Sequence, residues 1–145
     1  MNKETRMAQP AFHRIGPEPA LPFHEAARRE MQEMVRIGGF DAVYLFSREG
    51  LLLASHVASS GLLREDHAVE FAVMMAKLKP VIKKMSGLGA LKETVIEDGE
   101  GKRLVFRYLS VFGQTALLLL VIPAQRSYRG LANRLCRLIE AQAVP

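Results

Sequence analysis

The chain contains very little cysteine, and that scarcity excludes two classes of small protein. Its 145 residues include a single cysteine, Cys136, so neither a disulfide framework nor a cysteine zinc site is predicted. The longest apolar run, from Ala116 to Ile122, is far too short to span a bilayer. Residues Met1 to Gln9 are polar and lack the apolar stretch of a signal peptide. These absences favour a protein of the reducing cytoplasm.

Motifs for nucleotide binding and catalysis are also missing. The segment GLGALKE at residues 87–93 has glycines and a lysine, but their spacing is wrong for a phosphate-binding loop, and a strand follows instead of a helix. We therefore expect that the chain does not bind GTP itself. Ser55 beside His56 lacks the orienting acid and the sharp turn of a nucleophile site. The sequence predicts no enzyme activity and no cofactor.

The histidines do not predict a metal site. His13, His24, His56 and His67 share no metal-ligand spacing. His56 and His67 could meet Asp66 and Glu70 in space, but nothing indicates that their donor atoms converge with the geometry a metal needs. Cys136 lies beside the apolar stripe of the last predicted helix and is interpreted as a small core residue.

The composition is that of a basic, single-domain globular protein. It is 49% hydrophobic and 24% charged, with a formal net charge of +5, and its length suits one domain. The basic residues form two groups, Lys77, Lys79, Lys83 and Lys84, and Arg126, Arg129, Arg134 and Arg137. Too few aromatic residues are interleaved with either group for nucleic-acid binding. Most of these side chains are expected to be solvated, and an acidic protein partner fits the remainder better.

Periodicity and turn residues predict the order of the elements. Residues 1–22 hold four prolines and little apolar periodicity, so we expect a flexible tail there and a folded domain over 23–145. The predicted helices run from Phe23 to Gly38, from about Arg64 toward Met85, and onward from an N-cap at Ser127. The predicted strands are Val43–Phe46, Leu51–Ala54, Leu91–Glu97, Lys102–Leu109 and Gln114–Ile122.

One turn and one strand decide the predicted sheet. Gly50 can take the positive φ that closes a short hairpin, with a bulge where the second strand starts. The last strand is apolar at every position from Ala116 to Ile122, so helices must cover both of its faces. It is therefore predicted to be central, with the first hairpin beside it, and Pro123 ends it.

The middle helix has two apolar faces where a surface helix needs one. The broader face is predicted to pack on the sheet and comprises Phe71, Met74, Met75, Leu78, Ile82 and Met85. The second face is predicted to pair with a second copy and comprises Ala68, Val69, Ala72, Val73 and Ala76. Small residues spaced by four allow such close helix approach. A loop or the N-terminal tail is the alternative cover for this alanine face.

Three stretches together resemble the roadblock (dynein light chain) domain in its bacterial form. They are AVYLFSREGLLLAS, LKETVIEDGEGKRLVFRYLSVFGQTALLLLVIP and SYRGLANRLCRLI, and the resemblance covers about Phe23 to Ile139. It implies an α+β three-layer sandwich in which a five-stranded antiparallel sheet lies between the middle helix and the two terminal helices. It also implies homodimers, or heterodimers with relatives, formed through the middle helices and the third strands. Members of the family are platforms for small Ras-like GTPases, and in bacterial gliding motility one promotes GTP hydrolysis by its partner.

The main hypothesis is therefore a non-enzymatic homodimeric platform that binds and regulates a small Ras-like GTPase. The polar stripe Glu70, Lys77 and Lys84 is predicted to contact that GTPase. Arg48 and Arg64 are exposed candidates for an arginine finger, although the resemblance argues against this role, since bacterial relatives reposition the residues of the GTPase. A structural adaptor and a small-ligand sensor are the alternatives, and the aliphatic core offers few polar groups to orient a ligand.

Overall fold

The computed structural model describes residues 22–58 and 63–143. Apart from Pro22, the predicted tail lies outside the described residues. The elements are α1 (Phe23–Gly38), β1 (Ala42–Ser47), β2 (Leu52–Val57), α2 (Glu65–Ser86), β3 (Glu93–Glu97), β4 (Arg103–Val111), β5 (Gln114–Ile122) and α3 (Arg129–Gln142). The predicted order, helix, two strands, helix, three strands, helix, is confirmed.

The five strands form one antiparallel sheet in the order β2-β1-β5-β4-β3. The all-apolar strand β5 is central and β1 lies beside it, as its sequence predicts. Its side chains alternate between two cores, with Leu118 and Leu120 on one face and Leu117 and Leu119 on the other. The predicted three-layer sandwich is confirmed, because α1 and α3 cover the first face and α2 covers the second.

The β1–β2 hairpin has the predicted turn and bulge. Gly50 has a φ of +90°, and its N–H donates to the carbonyl oxygen of Ser47 at 3.0 Å. The pairing passes from Leu45–Ala54 to Phe46–Leu52, which leaves Leu53 as an extra residue at the start of β2.

The layer formed by α1 and α3 is a continuous aliphatic core. Helix α1 ends at Gly38, and the C-cap residue Gly39 has a φ of +67° that suits a residue without a side chain. The fully buried side chains of this layer include Met31, Met34, Leu118, Leu120, Leu135 and Ile139. Two helices therefore fill this face of the sheet.

The opposite face carries large aromatic residues, and this determines how α2 packs. Tyr44 and Phe46 stack with their ring centroids 6.0 Å apart, and Phe106 is fully buried nearby in the same core. Because these rings fill the space above the sheet, α2 meets them with its small residues Ala68 and Ala72. The prediction that the face of Phe71, Met74, Met75, Leu78, Ile82 and Met85 packs on the sheet is therefore wrong for half of that face. Met75 is buried and Phe71 and Ile82 are half-buried, but Met74, Leu78 and Met85 are exposed.

The start of α3 also differs from its prediction. The helix begins at Arg129, its N-cap residue is Tyr128, and no side chain caps it. Ser127 is therefore not the N-cap, although serine is a favoured residue there. Tyr128, which takes the N-cap position, is buried, and its hydroxyl donates to a carboxylate oxygen of Glu93 at 2.9 Å.

Candidate interaction surface

Four apolar side chains form an exposed stripe on α2. Met74, Leu78, Val81 and Met85 are 52%, 37%, 47% and 80% exposed. Their spacing of four, three and four residues places them along one side of the helix, in the pattern through which two helices pack against each other. We call these four residues the α2 stripe.

The α2 stripe faces the β3 edge of the sheet. Phe71, two turns before Leu78, packs near Phe106 of β4 with the ring centroids 6.2 Å apart, whereas Val73 on the other flank of the helix packs near Gly50. β3 is the last strand of the described sheet, paired with β4 on one side. Its Ile96 points to the same side of the sheet as α2 and is 39% exposed. The stripe and the strand edge therefore border one apolar surface.

The alanine face predicted to form the dimer seam lies inside the chain. Ala68 is 0% and Ala72 is 1% exposed, because both contact the aromatic residues of the sheet. The assignment of these two residues to a seam between chains is wrong, since no second helix can reach them. Val69, Val73 and Ala76, the rest of that face, are half-buried.

The polar stripe predicted to contact a GTPase is on the surface. Glu70, Lys77 and Lys84 are all exposed, and helical geometry places them on the outward side of α2 next to the α2 stripe. Lys79 belongs to a different flank, since its Nζ lies 4.9 Å from the centre of the Tyr108 ring.

The remaining candidate residues do not converge on a chemical site. Arg48 and Arg64 are both exposed and pair with neighbouring acids. His56 shares the sheet face of Val43, its β1 partner, whereas His67 belongs to α2 on the opposite face. Cys136 packs partly buried against the aliphatic core, as predicted, and burial raises the pKa of its thiol.

The described residues, 22–58 and 63–143, hold neither a group of metal-ligating side chains nor a helix that could span a membrane. Among them, no three His, Cys, Asp or Glu side chains are grouped so that they could hold a metal ion. No helix in the same part of the chain is long and apolar enough to cross a membrane.

A shallow groove lies between α2 and the ends of β4 and β5. It has a volume of about 210 Å³ and is lined in part by Arg48, Lys79, Pro80, Tyr108 and Thr115. Ligand pockets in proteins usually enclose about 300–1,000 Å³. This groove is therefore small for a ligand-sensing site.

No family model matches the chain, and no curated protein matches its sequence. Solved structures do match the chain, and they show that it has the bacterial roadblock fold. It is similar to gliding protein MglB from Thermus thermophilus at 22% identity and a TM-score of 0.68, over 89% of this chain and 98% of that one. For MglB of Myxococcus xanthus the identity is 14% and the TM-score 0.64, over 87% and 90% of the two chains. A Roadblock/LC7 domain of Streptomyces avermitilis is 17% identical with a TM-score of 0.59, over 79% of this chain and 92% of that one.

Sequence reasoning missed the α2 stripe although its signal was present. The 4-3-4 spacing of Met74, Leu78, Val81 and Met85 is a helix-pairing pattern. The alanines at i and i+4 were equally suited to pairing with a helix or with a sheet. Only the aromatic residues on the facing strands decide between these alternatives.

Proposed function

We propose that this chain is a non-enzymatic homodimeric platform that binds and regulates a small Ras-like GTPase. The observation that carries the proposal is the α2 stripe, an exposed apolar surface beside the free edge of β3. The roadblock fold that the chain shares with MglB gliding proteins supports it, because the sequence resemblance associates that fold with GTPase partners.

The dimer seam of this proposal is the α2 stripe in place of the alanine face. A second copy related by a two-fold axis would place its own stripe against the first, since a self-complementary patch meets itself. The same operation brings the two β3 edges together, so that their unpaired backbone groups can bond. Both helix packing and strand pairing then remove exposed apolar surface from water.

The GTPase surface of this proposal is a ridge that includes Glu70, Lys77 and Lys84 of both copies. These residues lie outside the α2 stripe, so dimer formation leaves them accessible. Ras-like GTPases change the shape of their switch regions with the bound nucleotide, and a platform selective for one state must contact those regions. Two lysines in each copy suit an acidic partner surface through electrostatic steering.

The test is the binding of candidate Ras-like GTPases from the same organism, each loaded with GDP or with a non-hydrolysable GTP analogue. Lys77→Glu combined with Lys84→Glu should weaken binding by about tenfold or more at low salt, mainly through the association rate. Light scattering should show that this variant is still a dimer. Single-turnover hydrolysis by the GTPase, with and without this protein, then measures regulation.

The matched control is Arg134→Glu combined with Arg137→Glu on α3, which makes the same charge change across the sheet. It should bind nearly as the unmodified protein does. If the α3 pair abolishes binding and the α2 pair leaves it intact, the GTPase docks on the other face. If the GTPase binds equally well with GDP and with the GTP analogue, a structural adaptor is favoured. Stoichiometric GTP binding by the purified protein itself would contradict the proposal, because the proposed platform binds no nucleotide.

A further inference from the structure

Besides its pairing with β4, the edge strand β3 is attached to α3 through one largely buried carboxylate. Glu93 Oε1 accepts a hydrogen bond from Arg107 Nε, and its Oε2 accepts from the Tyr128 hydroxyl at 2.9 Å and from Arg129 Nη1 at 3.3 Å. The Glu93 side chain is 13% exposed and that of Arg107 is 5% exposed. Charged side chains are rarely buried to this extent unless they are paired, as these two are.

The partners of Glu93 belong to two other elements. Arg107 lies on β4 and also donates from Nη1 to Asn133 Oδ1 of α3 at 2.8 Å. Tyr128 and Arg129 form the first turn of α3. We call Glu93, Arg107, Tyr128, Arg129 and Asn133 the β3 clamp.

A second set of contacts fixes the α3 end of the β3 clamp. The guanidinium groups of Arg103 and Arg129 lie 5.1 Å and 5.3 Å from the centre of the Tyr128 ring. Arg103 also donates to the carbonyl oxygen of Arg126. The hydroxyl that Tyr128 presents to Glu93 is therefore held in place by cation–π contacts.

The β3 clamp specifies one register of β3. In the observed register Glu93 stands opposite Arg107. A slip by one residue would turn the carboxylate to the other face of the sheet and leave Arg107 buried without its counter-ion, which is strongly unfavourable. Pairing with β4 alone would fix the register of this short strand much less firmly, because Val95, Ile96 and Glu97 are exposed.

We infer that Glu93 is a positioning residue, through which α3 holds the free edge of β3 in the register that a second copy pairs with. This inference rests on the proposed dimer for its functional consequence. A ligand or partner that displaces the first turn of α3 would withdraw two of the three hydrogen-bond donors from Glu93. A change at the start of α3 would thereby alter the β3 edge, although the two lie on different parts of the surface.

The decisive variant replaces the ion pair with apolar residues of similar size, Glu93→Leu with Arg107→Met. Such replacements usually preserve or increase stability, so a purely structural role predicts an unchanged protein. The inference predicts faster amide hydrogen exchange in β3, with exchange in β1 and β5 unchanged, and a dimer dissociation constant raised by about tenfold or more. Glu97→Gln is the control, because it removes an exposed carboxylate from the same face of the same strand.

Tyr128→Phe tests the link to α3 and guards against misfolding of the double variant. It keeps the ring between the two arginines and removes only the hydroxyl. Exchange in β3 should again rise selectively, although the substitution lies on another element.

The outcomes separate this inference from the proposed function. If the unmodified chain is a monomer, the dimer proposal fails and exchange in β3 still tests the clamp. If the chain is a dimer and both variants match Glu97→Gln in exchange and affinity, the inference is overturned. Exchange that rises equally in β1, β3 and β5 also overturns it, because the clamp then contributes only to global stability.

Discussion

The two faces of the sheet are covered to different extents, although the same five strands supply both. On one face α1 and α3 lie side by side over an aliphatic core, and Leu118 and Leu120 are fully buried beneath them. On the other face α2 is the one helix of the described residues, and it lies over β1 and β5. The single helix leaves the α2 stripe and Ile96 exposed. Among the described residues, one helix covers this face where two cover the other, and in the proposed dimer a second copy of α2 would cover the exposed part.

Four substitutions or conditions test this difference. The largest effect is expected for Ala72→Glu, which puts a charge under α2 among aromatic rings. An uncompensated buried charge costs roughly 3–5 kcal/mol, a large part of the about 5–15 kcal/mol that stabilises a domain. Urea unfolding followed by circular dichroism should show this loss within the single chain. A fully stable Ala72→Glu variant that has merely become monomeric would restore the alanine face as a seam between chains.

Leu78→Glu should separate the copies and leave each one folded. The side chain is already 37% exposed, so the added charge is solvated in the monomer but desolvated in the seam. Because the two-fold axis places the change in both copies, the dimer dissociation constant should rise about 100-fold. Analytical ultracentrifugation measures this constant. Lys77→Glu, one residue earlier and outside the stripe, is the control, and equal affinities for the two variants would reject the α2 stripe as the seam.

Gly50→Ala measures how tightly α2 lies over the hairpin. A Cβ there would be 2.7 Å from a methyl group of Val73, and the φ of +90° adds backbone strain, so we expect a loss of about 1–3 kcal/mol. Thermal unfolding gives this value. Gly113→Ala is the control for strain alone, since its φ is +77° and nothing lies within 4 Å of its Cβ position.

Adding Val73→Ala should restore part of the stability that Gly50→Ala removes, because it deletes the methyl group in contact. The absence of any recovery would mean that the loss comes from the turn itself.

The smallest expected effect is a loss of stability at acid pH that comes from Glu93, on the sheet face that α1 and α3 cover. Burial raises the pKa of the Glu93 carboxyl, but hydrogen bonds from Arg107 and Tyr128 and the charges of Arg107 and Arg129 outweigh it, so the net shift is downward from 4.5. A carboxyl with a lowered pKa contributes stability above its unfolded value and loses it as pH falls through the folded value. Stability should therefore decline below about pH 4.5. In the double variant Glu93→Leu with Arg107→Met, the free energy of unfolding should decline less as the pH falls. If the decline is the same as in the unmodified protein, Glu93 does not cause it.

The layout of the fold was predictable because its signals are local or nearly so. The uninterrupted apolar run of β5 required cover on both faces, and this placed it at the centre. Gly50 and Pro123 marked a turn and a strand end through backbone conformations that other residues disfavour. The resemblance added the assignment of the terminal helices to one face.

The candidate site was harder to predict because it depends on residues that are distant in sequence. The α2 sequence offers two apolar faces, and periodicity cannot tell which one meets the sheet. Tyr44, Phe46 and Phe106 decide it, because their rings fill the space under the middle of α2, where Ala68 and Ala72 pack against them. The exposed positions of Glu70, Lys77 and Lys84 were expected from their polarity, and their role in binding a partner stays a prediction.

The sequence alone determined which segments become helices and strands, their order, and the central place of β5, because hydrophobic periodicity and turn residues act over a few neighbouring positions. The tertiary structure decided which face of α2 is buried, where α3 begins, and how Glu93 comes to be surrounded by Arg107, Tyr128 and Arg129. Each of these depends on the volume or charge of side chains that meet only after the sheet has formed. Packing and ion pairing between distant residues are properties of the assembled layers, and no local pattern in the chain encodes them.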